Sequence, residues 1–270
     1  MTMDVSLICA CKNRIKPLMV SLSSWMLYDE IKEIIIVDWD SDKSISFLAK
    51  LDPRIKIIRV NHEKYFNQPQ PLNLALKLCS KESVIKVDTD YIFSPYFNFF
   101  DTYTIDDETF VSGEKESIIE DNNIQFYKYL RGLLYVKTEI LKEVGGYNED
   151  MGEYYAGEDS EIEIRLKMYG LKEKKLSLDY TLIHIPHEDL DRVKNFKAFT
   201  YDTINESVKN NMPNLPEEQF YYNYNYSLAQ VHISQNITSY CSNINHYYIK
   251  PKFNWEIKQV DEQYYFAEKL

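Results

Sequence analysis

Two Asp-x-Asp triplets, at residues 38–40 and 88–90, are the first candidates for chemistry in this sequence. Each follows a run of β-branched residues that predicts a strand. Because side chains alternate with a period of two along a strand, both aspartates of a triplet face one side, where a hard divalent ion can bind them. Such an ion can neutralise the charge of a departing diphosphate. Each triplet taken alone is also consistent with solvated turn residues at a strand end.

Two histidines, His184 and His187, lie three residues apart at the end of another predicted strand. Two imidazoles on a bend can converge on one metal ion. A lone histidine is more often a packed or surface residue, but two of the five histidines together favour a functional role. Imidazole and carboxylate ligands together predict a shell suited to manganese.

A glycine-rich stretch at residues 145–150 leads to an acidic segment at residues 157–161, which contains Glu158 and Asp159. Acidic residues at the start of a helix are stabilised by the helix dipole, so helix capping is one interpretation. The other interpretation makes one of these carboxylates a general base that deprotonates a hydroxyl group.

The positions of the glycines exclude several classes of enzyme. All seven lie between Gly113 and Gly170, so the first predicted strand is followed by residues 11–14 without a glycine. The sequence therefore lacks the Gly-x-Gly-x-x-Gly turn of dinucleotide-binding folds and the phosphate loop of P-loop ATPases. It also lacks the Gly-x-Ser-x-Gly elbow of α/β-hydrolases.

Strand and helix patterns alternate along the first 190 residues. This alternation predicts an α/β fold with a mostly parallel sheet flanked by helices, in which ligands bind at the carboxyl ends of the strands. The predicted strands are Val5–Ala10, Glu33–Val37, Ile55–Val60, Ser83–Val87, Phe110–Ser112, Gly132–Val136 and Tyr180–Ile185. The predicted helices are Pro17–Tyr28, Pro71–Leu78 and Glu158–Tyr169.

The pattern changes after residue 190, where glycine is absent and a Tyr/Asn-rich patch occupies residues 220–226. We expect two parts: a catalytic domain at residues 1–190, and a mainly helical C-terminal extension at residues 191–270 that packs on it.

Composition narrows the choice of partners and location. The formal net charge of −11 argues against nucleic-acid binding and against attraction to anionic membranes. No apolar run approaches the length of a membrane helix, and no signal peptide is recognisable, so we expect a cytoplasmic protein. The four cysteines match no zinc template and are expected to be reduced thiols.

As an ordered set, these elements make residues 4 to 190 resemble the GT-A glycosyltransferases. The resemblance is nearest to family 2 enzymes, chondroitin-polymerase-like modules and the β-1,4-galactosyltransferases. The opening strand and Asn-Arg turn of that family are similar to residues 7–14, and its Phe-Asn-Arg-Ala-x-x-Leu-Asn stretch is similar to residues 66–73. Its metal triplet is similar to residues 88–90, and its acceptor-site region to residues 131–159. The Met-x-x-His of β-1,4-galactosyltransferases matches residues 184–187, which here begin and end with histidine.

The resemblance implies roles for individual residues and a GT-A fold, which is a Rossmann-like sheet with a C-terminal helical appendage. It implies a metal ion, Mn²⁺ or Mg²⁺, held by Asp90, His184 and His187 with help from Asp88. It implies a nucleotide-sugar donor, a UDP-sugar by resemblance alone. The residues implied to contact this donor are Ala10, Cys11, Asn13, Arg14, Asp38, Asn73 and Asp88.

The acceptor side follows from the same resemblance. Asp159 would be the base and Glu158 would orient the acceptor, a glycan or another hydroxyl compound. Retaining relatives carry asparagine at the place of Asp159, so a carboxylate there predicts an inverting reaction. Arg131, Tyr154 and Tyr155 are candidates to line the acceptor pocket, with ordinary packing as the alternative. The sequence departs from the family at Gln68, where the family has arginine, and at residues 153–157, where the family has Trp-Gly-Trp-Gly.

Three other functions remain open from the sequence. The first is a non-catalytic protein of the GT-A shape that binds carbohydrate or nucleotide. The second is a nucleotidyltransferase, which would need a Gly-rich N-terminal loop that this chain lacks. The third is a retaining transferase, which the anomeric configuration of the product would distinguish.

Overall fold

The computed structural model describes residues 3–113, 117–121, 124–128, 132–152, 157–176, 182–187, 194–196 and 247–270. Within these ranges the strands are β1 (Val5–Cys11), β2 (Ile31–Trp39), β3 (Ile55–Val60), β4 (Ser83–Lys86), β5 (Tyr91–Phe93), β6 (Thr109–Ser112), β7 (Ser117–Asp121), β8 (Ile124–Lys128), β9 (Leu134–Lys137), β10 (Lys172–Lys175), β11 (Leu182–His184), β12 (Trp255–Gln259) and β13 (Tyr264–Lys269). The α-helices are α1 (Ile15–Trp25), α2 (Pro69–Leu78), α3 (Phe99–Thr102), α4 (Thr138–Glu143) and α5 (Glu158–Tyr169). Short 3₁₀ helices span Ser46–Leu51 and Glu149–Gly152.

A nine-stranded sheet with the order β10-β6-β9-β4-β1-β2-β3-β13-β12 forms the centre of the fold. The pairs β1–β2, β1–β4, β2–β3, β3–β13 and β6–β10 are parallel. Strand β9 runs antiparallel to both β4 and β6, and β12 runs antiparallel to β13. The predicted α/β fold with a mostly parallel sheet is therefore confirmed.

The two faces of this sheet bury separate apolar cores. Leu7 and Cys9 of β1 pack into the core that includes α1, whereas Ile8 packs into the core that includes α2. Successive residues of a strand point to opposite faces, so a strand that is covered on both sides is apolar at every position. This explains why the central strands read as continuous apolar runs in the sequence.

The helices on either face follow from their own residue spacing. Leu18, Leu22 and Trp25 are buried on one face of α1, and the Trp25 indole donates a hydrogen bond to the Tyr91 carbonyl at 2.7 Å. Helix α2 starts with prolines in its first turn, where a missing backbone N–H has no cost. No helix in the described part of the chain has the length and apolar character needed to cross a membrane.

Helix α5 has the bounds that the sequence predicts, and glycine explains both of its ends. Gly157 precedes the helix with a φ of 122°, and Gly170 follows it with a φ of 114°. Residues that have a Cβ atom rarely adopt these backbone conformations with positive φ. The helix therefore starts at Glu158 and has three acidic residues in its first turn, Glu158, Asp159 and Glu161.

A buried arginine on α5 fixes the helix to the glycine-rich turn before it. Arg165 is fully buried and forms two hydrogen bonds with the Glu161 carboxylate, at 2.6 and 2.8 Å. The same guanidinium donates to the carbonyls of Val144 and Gly146, each at 2.6 Å. Since every bond joins buried groups, this network determines where residues 144–146 lie relative to α5.

The C-terminal residues differ from the predicted helical extension. Residues Trp255–Gln259 and Tyr264–Lys269 form a β-hairpin, and β13 pairs in parallel with β3 in the central sheet. The turn between the two strands is stabilised by the Asp261 carboxylate, which accepts hydrogen bonds from the backbone N–H groups of Gln263 and Tyr264. The Tyr/Asn-rich patch at residues 220–226 lies outside the described residues. For residues 197–246 the helical prediction stays a prediction.

Both edges of the nine-stranded sheet carry charged side chains. Edge strand β10 has the sequence Lys-Glu-Lys-Lys, and edge strand β12 presents exposed Glu256 and Lys258. Charged edges oppose pairing with strands of other molecules. The charged edge also explains why β10 has no apolar pattern by which the sequence could predict it.

The substitution Arg165→Met should lower the free energy of unfolding by about 3–5 kcal/mol, because it leaves the Glu161 carboxylate buried without its partner. Urea unfolding followed by circular dichroism measures this loss. Removing both charges, as Arg165→Met/Glu161→Leu, should recover part of it. The control Lys258→Met breaks exposed ion pairs and should change the free energy of unfolding by less than about 1 kcal/mol. A loss below about 1 kcal/mol for Arg165→Met would contradict the prediction.

Candidate functional site

Three neighbouring parallel strands end in residues with unusual backbone conformations. Asn13 follows β1 with a φ of 56°, Asp40 follows β2 with a φ of 51°, and His62 follows β3 with a φ of 67°. Positive φ is uncommon for residues other than glycine and is concentrated at functional sites. Ligands of open α/β sheets bind at the carboxyl ends of the strands, which is the edge where these three residues lie.

A candidate metal centre lies at the same edge, after β4. Asp90 follows that strand, and the antiparallel pairing of β11 with β5 places His184 opposite Tyr91. The His187 Nε2 lies 3.2 Å and the His184 Nε2 lies 3.7 Å from the Asp90 Oδ2. One ligand atom from each of the three side chains lies within 4.8 Å of the others. Two imidazoles and one carboxylate fit a divalent transition-metal ion, and the structure brings these three predicted ligands together.

Asp90 lies beside one arginine and two histidines. Burial alone raises the pKa of the Asp90 carboxyl, but hydrogen bonds from His184 and His187 outweigh burial. Arg14 adds to this effect, with its guanidinium 2.6 Å from the Asp90 Oδ2. The pKa of Asp90 is therefore held below its ordinary range, and the carboxylate stays ionised as a metal ligand must be.

The other aspartate of the triplet, Asp88, faces a different group. Its Oδ1 lies 2.9 Å from the Lys86 Nζ and accepts a hydrogen bond from the Gln68 amide at 3.2 Å. The Lys86 Nζ also lies 3.0 Å from the Asp159 Oδ1. Burial raises the pKa of Asp88, with further contributions from the charges of Asp159 and Asp90. Asp88 thus connects the triplet to Asp159 through one lysine, and it is not part of the cluster formed by Asp90 and the two histidines.

Gly132 lets the backbone approach this group of charges closely. Gly132 has a φ of 103°, and a Cβ built on it would lie 2.8 Å from the Asp88 Oδ2 and 3.2 Å from the Asp159 Oδ2. A side chain at this position would press on the ends of both carboxylates, which would have to shift. The positive φ is the stronger reason for glycine here.

Glu158 precedes Asp159 at the start of α5 and is only 3% exposed. Burial, followed by the negative charge of Asp159, raises the pKa of Glu158 to about 8. At neutral pH the Glu158 carboxyl is therefore mostly protonated and can donate a hydrogen bond. The Asp159 side chain next to it is 22% exposed.

Asp38, predicted to contact the nucleotide, is instead engaged by the protein itself. It is fully buried, and its carboxylate accepts hydrogen bonds from the backbone N–H groups of Ser41 and Ile45. Arg59 donates to it at 2.8 Å and also reaches Asp40 at 3.2 Å. In this structure Asp38 shapes the loop after β2, and Asp40, which is 29% exposed, is the aspartate of that triplet nearer to solvent.

Asn73 is a second predicted donor contact whose amide serves the protein. Its side-chain oxygen accepts from the Tyr147 N–H at 2.7 Å, and its nitrogen donates to the Tyr147 carbonyl and the Glu149 carboxylate. Glu149 in turn accepts from the backbone N–H groups of Lys252 and Phe253, each at 2.8 Å. Asn73 therefore ties α2 to the turn that precedes α5, and every polar atom of its amide has a partner.

The remaining predicted donor contacts lie at the end of β1. Ala10 is partly exposed and Cys11 is buried, and the Asn13 side chain accepts from the Asp42 N–H at 2.9 Å. Asn195 reaches the same place, where its amide donates to the Lys12 carbonyl at 3.1 Å. The predicted acceptor residues Arg131, Tyr154 and Tyr155 lie outside the described residues.

Three cations at this edge were missed by the sequence interpretation. Lys86 is 1% exposed and Arg59 joins two aspartates, as described above. Lys12 donates to three carbonyl groups at the ends of β2 and β3, those of Trp39, Asp40 and Glu63, at 2.9 to 3.0 Å. A lysine or arginine inside or directly after a buried strand was the available signal, because such residues are rarely buried unless paired.

The raised pKa of Glu158 makes stability depend on pH. A carboxyl whose pKa is higher in the folded state than in the unfolded state makes the folded state less stable as pH rises from about 4.5 to about 8. Glu158→Gln removes this titration. The variant should therefore gain stability over the unsubstituted chain by up to a few kcal/mol between about pH 5 and about pH 8, in urea unfolding.

The exposed control Glu139→Gln should show a difference that does not change with pH, since Glu139 is 78% exposed. A pH-independent difference for Glu158→Gln would contradict the raised pKa of Glu158.

Comparisons with protein-family models and with curated proteins gave no match. Among solved structures, the mannosyltransferase PcManGT from Pyrobaculum calidifontis, in complex with GDP-Man and Mn²⁺, is similar with a TM-score of 0.55 and 16% identity. That similarity covers 90% of this chain and 74% of that one. TarS 1–349 of S. aureus is similar with a TM-score of 0.52 and 17% identity, over 67% of this chain and 60% of that one. This chain thus spans less than two thirds of TarS 1–349. Such similarities establish the fold, and we conclude that this chain has the GT-A fold of glycosyltransferases.

Proposed function

We propose that this chain is a metal-dependent glycosyltransferase that moves a sugar from a nucleoside diphosphate to an acceptor hydroxyl. The observation that carries the proposal is the cluster of Asp90, His184 and His187, which lies at the ligand-binding edge of a GT-A sheet. Lys86 and Asp88 link this edge to Asp159 at the start of α5. The carboxyl ends of the strands therefore offer both a candidate metal centre and a carboxylate that would act as the base, the two groups that the proposed reaction uses.

The donor half of the site is suited to a diphosphate. Asp90, His184 and His187 would hold Mn²⁺ or Mg²⁺, and the ion would supply charge neutralisation for the departing diphosphate. Arg14 lies beside Asp90 and adds a fixed positive charge at the same place. Asn13 and Asp40, with their left-handed backbone conformations, are positioned at the ends of β1 and β2 where a nucleoside would lie.

We propose uridine, with uracil as its base, as the nucleoside of the donor, from the resemblance to family 2 and β-1,4-galactosyltransferases. The solved neighbour PcManGT was crystallised with GDP-Man, so guanosine is the alternative to be tested beside it.

The acceptor half is suited to an inverting, single-displacement reaction. Asp159 would take the proton from the acceptor hydroxyl through its Oδ2, since its Oδ1 is bound to Lys86. The acceptor oxygen would form a bond to the anomeric carbon while the bond from that carbon to the diphosphate oxygen breaks. The bonding electrons would leave with the nucleoside diphosphate. Glu158, protonated near neutral pH, would donate a hydrogen bond that orients the acceptor.

A thermal-shift experiment tests the donor site. UDP, GDP, CDP and ADP are compared, each with Mn²⁺ and with EDTA. A tightly bound nucleotide in excess should stabilise the protein by about 2–4 kcal/mol and raise Tm by several degrees. We expect the largest rise with UDP, dependence on Mn²⁺, and loss of the rise in Asp90→Ala.

Asp107→Ala is the matched control for that experiment, because the Asp107 side chain is 88% exposed, and it should keep the rise in Tm. If no nucleotide raises Tm, the donor site as proposed does not exist. A rise with UDP but no turnover of any UDP-sugar would favour the alternative of a non-catalytic binding protein.

The role of Asp159 is tested by Asp159→Asn, which keeps the shape of the side chain but cannot accept a proton. We expect turnover of the donor to fall by about 100- to 10,000-fold, with the nucleotide-dependent rise in Tm unchanged. Glu163→Gln, one helical turn further along α5, is the control and should keep its turnover. NMR of the product should show inversion of the anomeric configuration, and retention would refute the single displacement.

A further inference from the structure

Lys86 is the last residue of β4, a strand whose residues are all buried. Its charged side chain is only 1% exposed. A buried ammonium group is costly unless it is paired. Here it is paired twice, with the Asp88 Oδ1 at 2.9 Å and with the Asp159 Oδ1 at 3.0 Å. One side chain therefore joins the end of a sheet strand to the start of α5.

The two carboxylates that Lys86 holds belong to different halves of the proposed site. Asp88 is part of the triplet that also contains Asp90, on the donor side. Asp159 is the proposed base, on the acceptor side. Because both contacts use one ammonium, Lys86 couples the position of the donor side to the position of the base.

The second oxygen atoms of the two carboxylates lie near the same residue, Gly132. The Asp88 Oδ2 and the Asp159 Oδ2 both lie close to the backbone at Gly132, within 2.8 and 3.2 Å of where a Cβ would be. The bonds to Lys86 thus fix the rotation of both carboxylates. Asp159 remains 22% exposed while Lys86 is buried, so the exposed part of Asp159 lies away from the lysine.

We propose that Lys86 is a positioning residue that aligns Asp159 with the anomeric carbon of the bound donor. Lys86 does not touch the reacting atoms in this proposal. It holds the Asp159 Oδ1, so that the Oδ2 is presented to the acceptor hydroxyl at a fixed distance from the donor half. The inference rests on the proposed function and deepens it.

A merely structural role is the alternative, and the chain offers a matched control for it. Lys56 also pairs with a nearly buried carboxylate, Glu33, which is 3% exposed. That pair lies near the amino ends of two strands. Glu33 is the third residue of β2, and Lys56 is the second residue of β3. Lys56→Met therefore removes an ion pair with a buried carboxylate far from the site, although Lys56 itself is 28% exposed.

The experiment compares Lys86→Met with Lys56→Met in two measurements on the full chain. The first is the rise in Tm caused by UDP or GDP with Mn²⁺. The second is the release of nucleoside diphosphate from whichever donor the unsubstituted chain turns over, with kcat and KM determined separately. For Lys86→Met we expect kcat to fall by about 100-fold, as small misplacements of catalytic groups do. Its donor KM should change by less than about threefold. Lys56→Met should keep both constants.

A double-mutant cycle separates alignment of the base from general damage. If Lys86 acts through Asp159, adding Lys86→Met to Asp159→Asn should lower kcat by less than about threefold more. The double variant also leaves fewer unpaired buried charges, so it can be measured if Lys86→Met alone does not fold. A further loss of about 100-fold in the double variant would overturn the inference.

The remaining outcomes distinguish this inference from the proposed function. An active unsubstituted chain together with normal kcat in Lys86→Met would overturn the role of Lys86 and leave the transferase in place. A large rise in donor KM with unchanged kcat would also overturn it, because Lys86 would then serve donor binding. An unsubstituted chain that neither responds to nucleotides nor releases nucleoside diphosphate would overturn the proposed function and this inference with it.

Discussion

Mutual repulsion among carboxylates is the constraint on which the carboxyl edge of this sheet depends. Parallel strands bring Asp38, Asp88 and Asp90 to one edge, and α5 adds Asp159 beside them. Each is paired with a cation: Asp38 with Arg59, Asp90 with Arg14, and both Asp88 and Asp159 with Lys86. Without these pairs, like charges in a partly buried site would force the loops apart.

Glu158 shows a second way to satisfy the same constraint. It lies next to Asp159 and is buried. Within the described part of the chain, it forms no ion pair. Its pKa rises to about 8, so that near neutral pH it is mostly uncharged. A neutral carboxyl can donate a hydrogen bond, which a carboxylate cannot, so burial suits Glu158 to a role other than that of a base.

Much of the fold and part of the site could be predicted from the sequence. β-branched runs located the central strands, Gly170 fixed the end of α5, and the histidine pair was correctly placed beside Asp90. The C-terminal hairpin was missed because its strand β13 pairs with β3, which is remote in sequence, and no local signal reports such pairing. Asp38 shows the other limit, since its type and spacing indicate a ligand contact while its burial among backbone N–H groups is visible only in three dimensions.

The parallel pairing of β3 with β13 has a consequence for how the chain is made. Tyr264 follows Val60 by about 200 residues, so β13 cannot pair with β3 until those residues have been synthesised. At a synthesis rate of roughly 5–20 residues per second, this interval lasts about 10–40 s. During that time an apolar parallel edge is open to pairing with other nascent chains. The hairpin thus covers one side of a strand that is synthesised long before it.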